Sequence, residues 1–567
     1  MLPTCLISDL KIFQPADSTK HLAQELSCSE LAAGVLEMLR GNEDIESLKE
    51  WIHPDFTRQI ESLNLGKASA EAKALWDSKS SFGNVLVYGD YDTDGICSTV
   101  LAMEIFRNKA AQVRYFIPRR DVHGYGLNAG VLEKLPAAGC NTLIVVDCGT
   151  NDSAMLEKLR EQGINVFVFD HHSLSADITI PTIVNPCINM EAGDTQKICA
   201  TAVLWCWAWK ENIVSRQFLR YEVDLAALAT IADCMPLHNL NRSLVRYGMN
   251  LMRNNPRRGL SALFDCLGIN KFQLSEEHLS MRVIPCLNAP GRITTADTGV
   301  RALLGAGSNE AVYNCVNELM RINRKRQTLT ENIAREIDDG ITSGHITCNV
   351  LYNESWPIGV LSGVASRVCA QYNRPVVLAA PVGSKVIRGT LRVPEGGDAV
   401  GVLREIAEKL DAWGGHKYAA GFSVLIEHWR EVRNDLERML MDIKIEPEGV
   451  KPVISISPSD ISISDWKAVS ALGPFGNNNP SPKFYIDKNS ITPEINSMGK
   501  DGKHSYIRVN NARLLAFNTT AREVLEMMGN GLKGWIYHPR LDYWRNEEQL
   551  QFILDCAVTE GQQKGGV

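Results

Sequence analysis

The sequence predicts an α/β protein in four parts: a doubly wound parallel sheet, a connecting helix, a second α/β domain and a terminal β-barrel. Three observations carry this. Short β-branched runs alternate with helix-like segments between residues 84 and 172. A long polar helical stretch occupies 308–340. Past 450, strand-like runs separated by turn signals take over.

Each element has its own pattern. Residues 1–80 read as a helical segment: LAAGVLEMLR, ESLKEWIHP and ASAEAKALWDS carry apolar residues at three- and four-residue spacing. Strands are expected at NVLVYGD (84–90), VRYFIPR (113–119), NTLIVVDCG (141–149) and NVFVFDHH (165–172), with helices STVLAMEIFRNKA and NDSAMLEKLREQG between them. Strand–helix alternation at this interval argues a parallel sheet with helices on both faces. Residues 200–340 are mainly helical. The second α/β segment shows strands at 345–352 and 374–381 and a helix at AVGVLREIAEKLDAW. PVISIS, KFYID, YIRVNN, ARLLAFN, GWIYHP and QLQFIL then form a small β domain, read as a barrel. The expected boundaries are 1–80, 81–305, 306–342, 343–447, 448–560 and a polar tail at 561–567.

With 567 residues the chain is too long for one hydrophobic core. No apolar run reaches the roughly 18 residues of a membrane span. The N-terminus MLPTCLISDLKIF lacks a basic region followed by an apolar run, so no secretory leader is expected. The 15 cysteines include no CxxC pair, which disfavours structural zinc. They read as reduced thiols of a cytoplasmic protein. The net charge of −7 weighs mildly against a polyanion substrate, although metal-binding carboxylates supply part of it.

Three of the four strands end in acidic residues. Asp90, Asp92 and Asp94 follow the first, Asp147 the third, and Asp170, His171 and His172 the fourth. Ligands of open α/β sheets bind outside the carboxyl ends of the strands, so parallel strands bring these groups to one rim. Left bare, they would repel one another. Carboxylates with imidazole suit Mn²⁺ or Mg²⁺. Asp233, in TIADCMPL, ends an apolar run and is a further candidate. Two cations about 4 Å apart stabilise the attacking and leaving oxygens of a phosphoryl transfer. The residues therefore point to metal-dependent hydrolysis of a phosphate ester.

Each motif alone has a plainer reading. GDYDTDG is equally a calcium loop or a solvated turn, VVDCG a strand-ending turn, and DHH a surface turn. Their succession after consecutive strands argues against all three. NAPGR (288–292) places Arg292 in a loop where guanidinium and backbone meet a phosphate, or in a plain surface turn. GGHKYAAG (414–421) permits close backbone approach to a ligand, or forms a helix C-cap with a satisfied His416. RNNPRRG (253–259) and RINRKRQ (321–327) are solvated helix faces or track the phosphates of a strand.

Taken in order, GDYDTDG, VVDCG, DHH and ADCMPL resemble the four motifs of the DHH family, and GGHKYAAG resembles the signature of its associated DHHA1 domain. The family includes pyrophosphatases, small-oligonucleotide phosphatases, cyclic-dinucleotide phosphodiesterases and single-strand-specific DNA exonucleases. The resemblance is to the exonucleases and covers nearly the whole chain. IPRRDVHGYGLN, NRSLVRYGMN, NAPGR with TADTGVRALL, WPIGVLSGVASRVCAQYNRPVVL and ALGPFGNNNPSPKF are similar to theirs, the last at the entry of an OB-like barrel.

The resemblance implies stepwise 5′→3′ hydrolysis of single-stranded DNA to mononucleotides with two Mn²⁺ or Mg²⁺ ions. It implies a role in DNA repair and recombination, with a helicase and a single-strand-binding protein as partners. It makes Asp92, Asp94, Asp147, His171 and Asp233 metal ligands, with Asp147 bridging. Asp90 and Asp170 join the cluster, and His172 touches the scissile phosphate. Asn288, Arg292, Arg367, Arg392 and His416 hold substrate. Two positions depart from the pattern. Tyr88 stands where related phosphatases have a metal-binding histidine, which leaves that place to Asp90 or water. GTLRV replaces the usual GSxRS, so Thr390 keeps a hydroxyl and Val393 loses one. Two alternatives remain: a phosphodiesterase of short RNA or small phosphoesters, and a non-catalytic DNA-binding scaffold.

Overall fold

The computed structural model describes residues 2–119, 126–174, 178, 180–189, 197–443, 450–491, 494–499, 501–529, 531–544 and 547–560. The tail at 561–567 and part of IPRRDVHGYGLN lie outside these residues. The chain divides into two compact units. One comprises Met1–Gln59, Leu237–Arg242 and Gly449–Val567; the other comprises Ile60–Pro236 and Ser243–Glu448.

The larger unit contains the parallel sheet. Its strands lie in the order Gln112–Phe116, Asn84–Tyr88, Thr142–Val146, Asn165–Phe169, Ile183–Val184. All neighbours are parallel, with Tyr88 opposite Val145 and Val146 opposite Phe169. Thr142–Val146 is buried at every position, as a strand covered on both faces must be. Each strand stops two or three residues before its expected end, so the acidic motifs are loops and helix starts rather than strand ends. The short fifth strand has no signature in the sequence.

The connecting helix runs Asn309–Thr342, N-capped by Ser308. A second sheet follows in the order Ala412–His416, Ala419–Leu425, Val386–Arg392, Val376–Val382, Val350–Tyr352. Only the last pair is parallel. One expectation fails here. AVGVLREIAEKLDAW is not a continuous helix: the α-helix ends at Glu405, and Ala412–His416 is an edge strand. Pairing of Trp413 with Phe422 in the neighbouring strand overrides the local helical pattern.

The smaller unit joins the two chain ends. Its sheet follows the path Glu494–Met498, His504–Val509, Ala512–Ala516, Glu547–Thr559, Leu532–Trp544, Phe484–Asp487, Lys451–Ser455, Leu10–Phe13. Among the described residues no strand pair closes this path into a barrel. The expectation that residues 1–80 form one helical segment needs two corrections. Thr4–Leu6 and Leu10–Phe13 are strands, pairing in parallel with Glu547–Thr559 and Lys451–Ser455. The segment also divides at Gln59. Leu26, Leu31, Val35, Leu48 and Trp51 share a core with Trp466, Phe484 and Tyr537, whereas helix Lys67–Ser78 belongs to the larger unit. Strands this short show no periodicity, and only their distant partners define them. Among the described residues no helix is long and apolar enough to cross a membrane.

Candidate metal centre

The turns and helix starts at the carboxyl ends of the strands build the acidic rim. After Asn84–Tyr88 the chain turns through Asp90 and enters helix Thr93–Phe106, N-capped by Asp92, whose Oδ1 accepts from Gly95 N at 3.1 Å. Gly95 is required here: a Cβ would meet the Asp90 carbonyl oxygen at 2.4 Å. Asp94, in the first turn of that helix, is buried. Its Oδ2 accepts from Ala200 N at 2.7 Å, and its Oδ1 accepts from Thr201 N at 2.9 Å and Thr201 Oγ1 at 2.5 Å. It thereby caps helix Ala200–Lys210. Asp147 follows Thr142–Val146 in a left-handed backbone conformation, φ 61°, with its N–H donating to Phe169 O at 3.0 Å. For a residue other than glycine that conformation costs about 1–3 kcal/mol and persists only where the surroundings impose it.

Among the described residues, three overlapping groups have the donor spacing of a cation site: Asp90, Asp92 and Asp147; Asp94, His171 and Asp233; and Asp147, His171 and His172. His171 Nε2 lies 3.3 Å from Asp147 and 3.3 Å from Asp233. Asp233 ends helix Val223–Ala232. Burial, and then the charge of Asp94, raises the carboxyls of Asp92, Asp147 and Asp233, the last to about 8. Burial lowers His171. Carboxylates crowded this way retain protons unless cations neutralise them, and the mixed oxygen–imidazole donor set fits hard divalent ions.

Asp170 and His172 behave differently. Asp170 Oδ1 accepts from His171 N at 2.7 Å and from the His172 ring Nδ1 at 2.7 Å, and its Oδ2 accepts from Thr150 N at 3.0 Å. Burial opposes its charge, but the bond to His172 and the charge of His172 outweigh burial and hold its carboxyl below the usual range. Burial likewise opposes the His172 imidazolium, but Asp170 outweighs it and raises His172 to about 9. Asn185, which sequence reasoning missed, ties this turn to the preceding motif. Its Nδ2 donates to Thr150 Oγ1 and His172 O, both at 2.9 Å. An asparagine in a VNP turn carries no distinctive sequence signal.

Tyr88 does not join the cluster. It is fully buried, its hydroxyl donating to Gly126 O and accepting from Asn128 N, both at 3.1 Å.

NAPGR is not a loop. It is the end of helix Ile284–Ile293, with Pro290 inside it. Gly291 packs on the first acidic motif, where a Cβ would meet Tyr91 O at 2.3 Å. Asn288 Oδ1 accepts from the Thr93 hydroxyl at 2.7 Å, directly beneath that motif. On the other side, a Cβ on Gly359 would meet Arg292 O at 2.0 Å, which seats the start of helix Ile358–Tyr372 against Arg292. Close glycine contacts thus link the acidic rim to the second domain.

In the second sheet, register places Arg392, Ala419 and His416 in one row, and Thr390, Gly421 and Gly414 in the next row on the same face. GGHKYAAG is therefore a hairpin, not a helix C-cap. Paired residues share a face, so Arg392 and His416 flank a floor of small residues about 10 Å wide. Arg388, also missed, stands four residues before Arg392 on the same face, opposite Ser423. Val393 alternates to the other face and is buried in the core with Leu391 and Phe422. The lost hydroxyl of GTLRV thus concerns the core. Arg367 is exposed on helix Ile358–Tyr372. RNNPRRG is structural: Arg257 pairs with Asp224 at 2.6 Å and Glu222 at 3.0 Å, and Arg258 donates to Gly305 O at 2.9 Å.

Three family models match the chain: the DHH family N-terminal domain at 84–235, the DHHA1 domain at 345–442 and the RecJ OB domain at 454–555. The chain belongs to the DHH family. Among DHH relatives, the single-stranded-DNA-specific exonuclease RecJ of Bacillus subtilis is 27% identical over 96% of this chain and 70% of its own length. RecJ of Thermus thermophilus is 31% identical over 80% of this chain and 66% of its own. The crystal structure of Thermus thermophilus RecJ in complex with Mn²⁺ shares the fold, with a TM-score of 0.78 and 24% identity over 99% of this chain and 81% of that one.

Proposed function

We propose that this DHH protein is a metal-dependent exonuclease that degrades single-stranded DNA from its 5′ end to mononucleotides. The observation that carries the reading is Asp147, which belongs both to the group of Asp90 and Asp92 and to the group of His171. One carboxylate shared between two donor sets is what a bridged pair of cations requires. Relatives of this chain are named single-stranded-DNA-specific exonucleases, and RecJ structures contain Mn²⁺ or Mg²⁺.

Two such ions, when bound, supply Lewis acidity toward the scissile phosphate and lower the pKa of water. Asp90, Asp92 and Asp147 would hold one, and Asp94, His171 and Asp233 the other, with Asp147 shared between the two. Asp94 caps a helix with the same oxygens, so it also fixes the distance between the motif and helix Ala200–Lys210. His172, held protonated by Asp170, faces the phosphate and stabilises charge as it develops. Arg292 at the helix end and Asn288 beneath the motif meet the phosphate beside the rim. Arg367, Arg392 and His416 hold the strand against the small-residue floor, with Arg388 as a further cation. Gly414 and Gly421 support this placing: a Cβ would meet nothing within 4 Å at the first and only Gly389 O at 3.6 Å at the second. Neither needs to be glycine for packing or backbone conformation, and glycine inside a strand weakens it. The room they leave suits a close-lying sugar–phosphate backbone.

The matched RecJ OB domain favours a long strand over a dinucleotide. A helicase and a single-strand-binding protein are the partners that would prepare such a strand. All 15 cysteines are free thiols, which suits the cytoplasm. The test is digestion of single-stranded DNA labelled at either end, with Mn²⁺ or with EDTA. Early release of 5′ label as mononucleotide, only with metal, supports the reading. Survival of long DNA beside turnover of dinucleotides overturns it.

A further inference from the structure

We infer that Ser366 is a positioning residue for substrate binding, acting through Arg392; this rests on the placing of DNA along the second sheet. Arg392 stands at the end of strand Val386–Arg392. Its Nε donates to Ser366 Oγ at 3.0 Å, and its Nη1 donates to Thr390 Oγ1 and to Leu391 O, both at 2.9 Å. Ser366 lies on the neighbouring helix Ile358–Tyr372, and its hydroxyl donates to Ser362 O at 3.0 Å.

The geometry fixes the direction of each proton. With its own hydrogen turned to Ser362, the Ser366 oxygen presents lone pairs to the guanidinium. Contacts at Nε and at Nη1 hold the guanidinium plane from two sides, one on the strand and one on the helix. A free arginine samples many rotamers and loses that freedom when it grips a phosphate. Anchoring it beforehand moves the loss from binding to folding. Ser366 is exposed, and among the described residues its hydroxyl bonds only Ser362 O and the part-exposed Arg392. Its removal leaves the core untouched. Thr390 is itself buried, so its loss would mix packing with positioning.

Steady-state kinetics of the full chain with Mn²⁺ on a 5′-labelled single-stranded oligonucleotide test this. Ser366→Ala should raise KM roughly three- to tenfold, the cost of ordering one long side chain, with kcat within about twofold. Ser366→Thr, which keeps the oxygen, should restore KM. In an Arg392→Ala background, Ser366→Ala should add nothing, because its effect runs through the missing guanidinium. An unchanged KM in Ser366→Ala, a failed threonine rescue, or an effect that persists without Arg392 each overturns the inference while the exonuclease reading stands. If Arg392→Ala alone leaves KM unchanged, the placing of substrate on this sheet falls, and the role of Ser366 falls with it.

Discussion

Asp147 Oδ1 lies 3.3 Å from His171 Nε2, joining the ends of two strands that are neighbours in the sheet. The same carboxylate groups with Asp90 and Asp92. It is buried, and burial together with Asp94 and Asp92 pushes it far above the ordinary carboxylate range. That combination separates its two roles. Asp147→Asn should lower kcat by about a thousandfold or more if the shared carboxylate holds both cations. In EDTA the same variant should melt no lower than the parent, because a neutral amide relieves crowding among carboxylates. Mn²⁺ should raise the Tm of the parent and not of the variant. Near-normal turnover in the variant would refute the two-cation centre.

The Asp170–His172 pair predicts a pH response in the metal-free protein. His172 is raised to about 9, so the stability it contributes is present below its ordinary value of about 6.5 and is lost as pH rises through 9. Asp170 is depressed, so its contribution is present above its ordinary value and is lost in acid. In Asp170→Asn the largest influence opposing burial is gone, and burial is left against the weaker pull of Asp233 and Asp90. His172 should then titrate well below its value in the parent. NMR titration of the His172 ring in EDTA reads this directly, and a value still near 9 in the variant would show that Asp170 is not its cause.

Gly421→Ala and Gly95→Ala should behave oppositely. A Cβ on Gly421 has room, so the fold should hold or gain up to about 1 kcal/mol, while KM for single-stranded DNA rises severalfold. A Cβ on Gly95 collides with the Asp90 carbonyl oxygen, so that variant should lose Mn²⁺ affinity and stability together. Thermal melts beside kinetics decide. A Gly421→Ala enzyme with unchanged KM would remove the small-residue floor from the binding site.

Tyr88→Phe should cost about 0.5–1.5 kcal/mol in stability, because it removes the hydrogen bonds of a fully buried side chain to Gly126 O and Asn128 N. Its Mn²⁺ affinity should match the parent, since the hydroxyl faces Gly126 and Asn128. Calorimetric Mn²⁺ titration checks the second half; a marked loss of affinity would place Tyr88 at the metal.

The sequence by itself determined the chemistry of the acidic rim. Parallel strands have one carboxyl-end rim whatever their lateral order, so acidic residues following the strands at 84, 142 and 165 had to converge. The long connecting helix was legible because its apolar residues keep a helical spacing through a long polar stretch. The tertiary structure decided what periodicity cannot encode. Thr4–Leu6 and Leu10–Phe13 are too short to show a pattern and become strands only by pairing with residues about 440 or more positions away. Ala412–His416 follows a helical pattern locally and is a strand because Ala419–Leu425 offers it a ladder. Arg257, read as part of a solvated helix face or of a cluster tracking phosphates, is only partly exposed because Asp224 and Glu222 offset its desolvation. Asn185 acts through its bonds to Thr150 and His172, and Ser366 through its bond to Arg392 on another element. Such bonds depend on where a fold brings two side chains, and no local spacing records that.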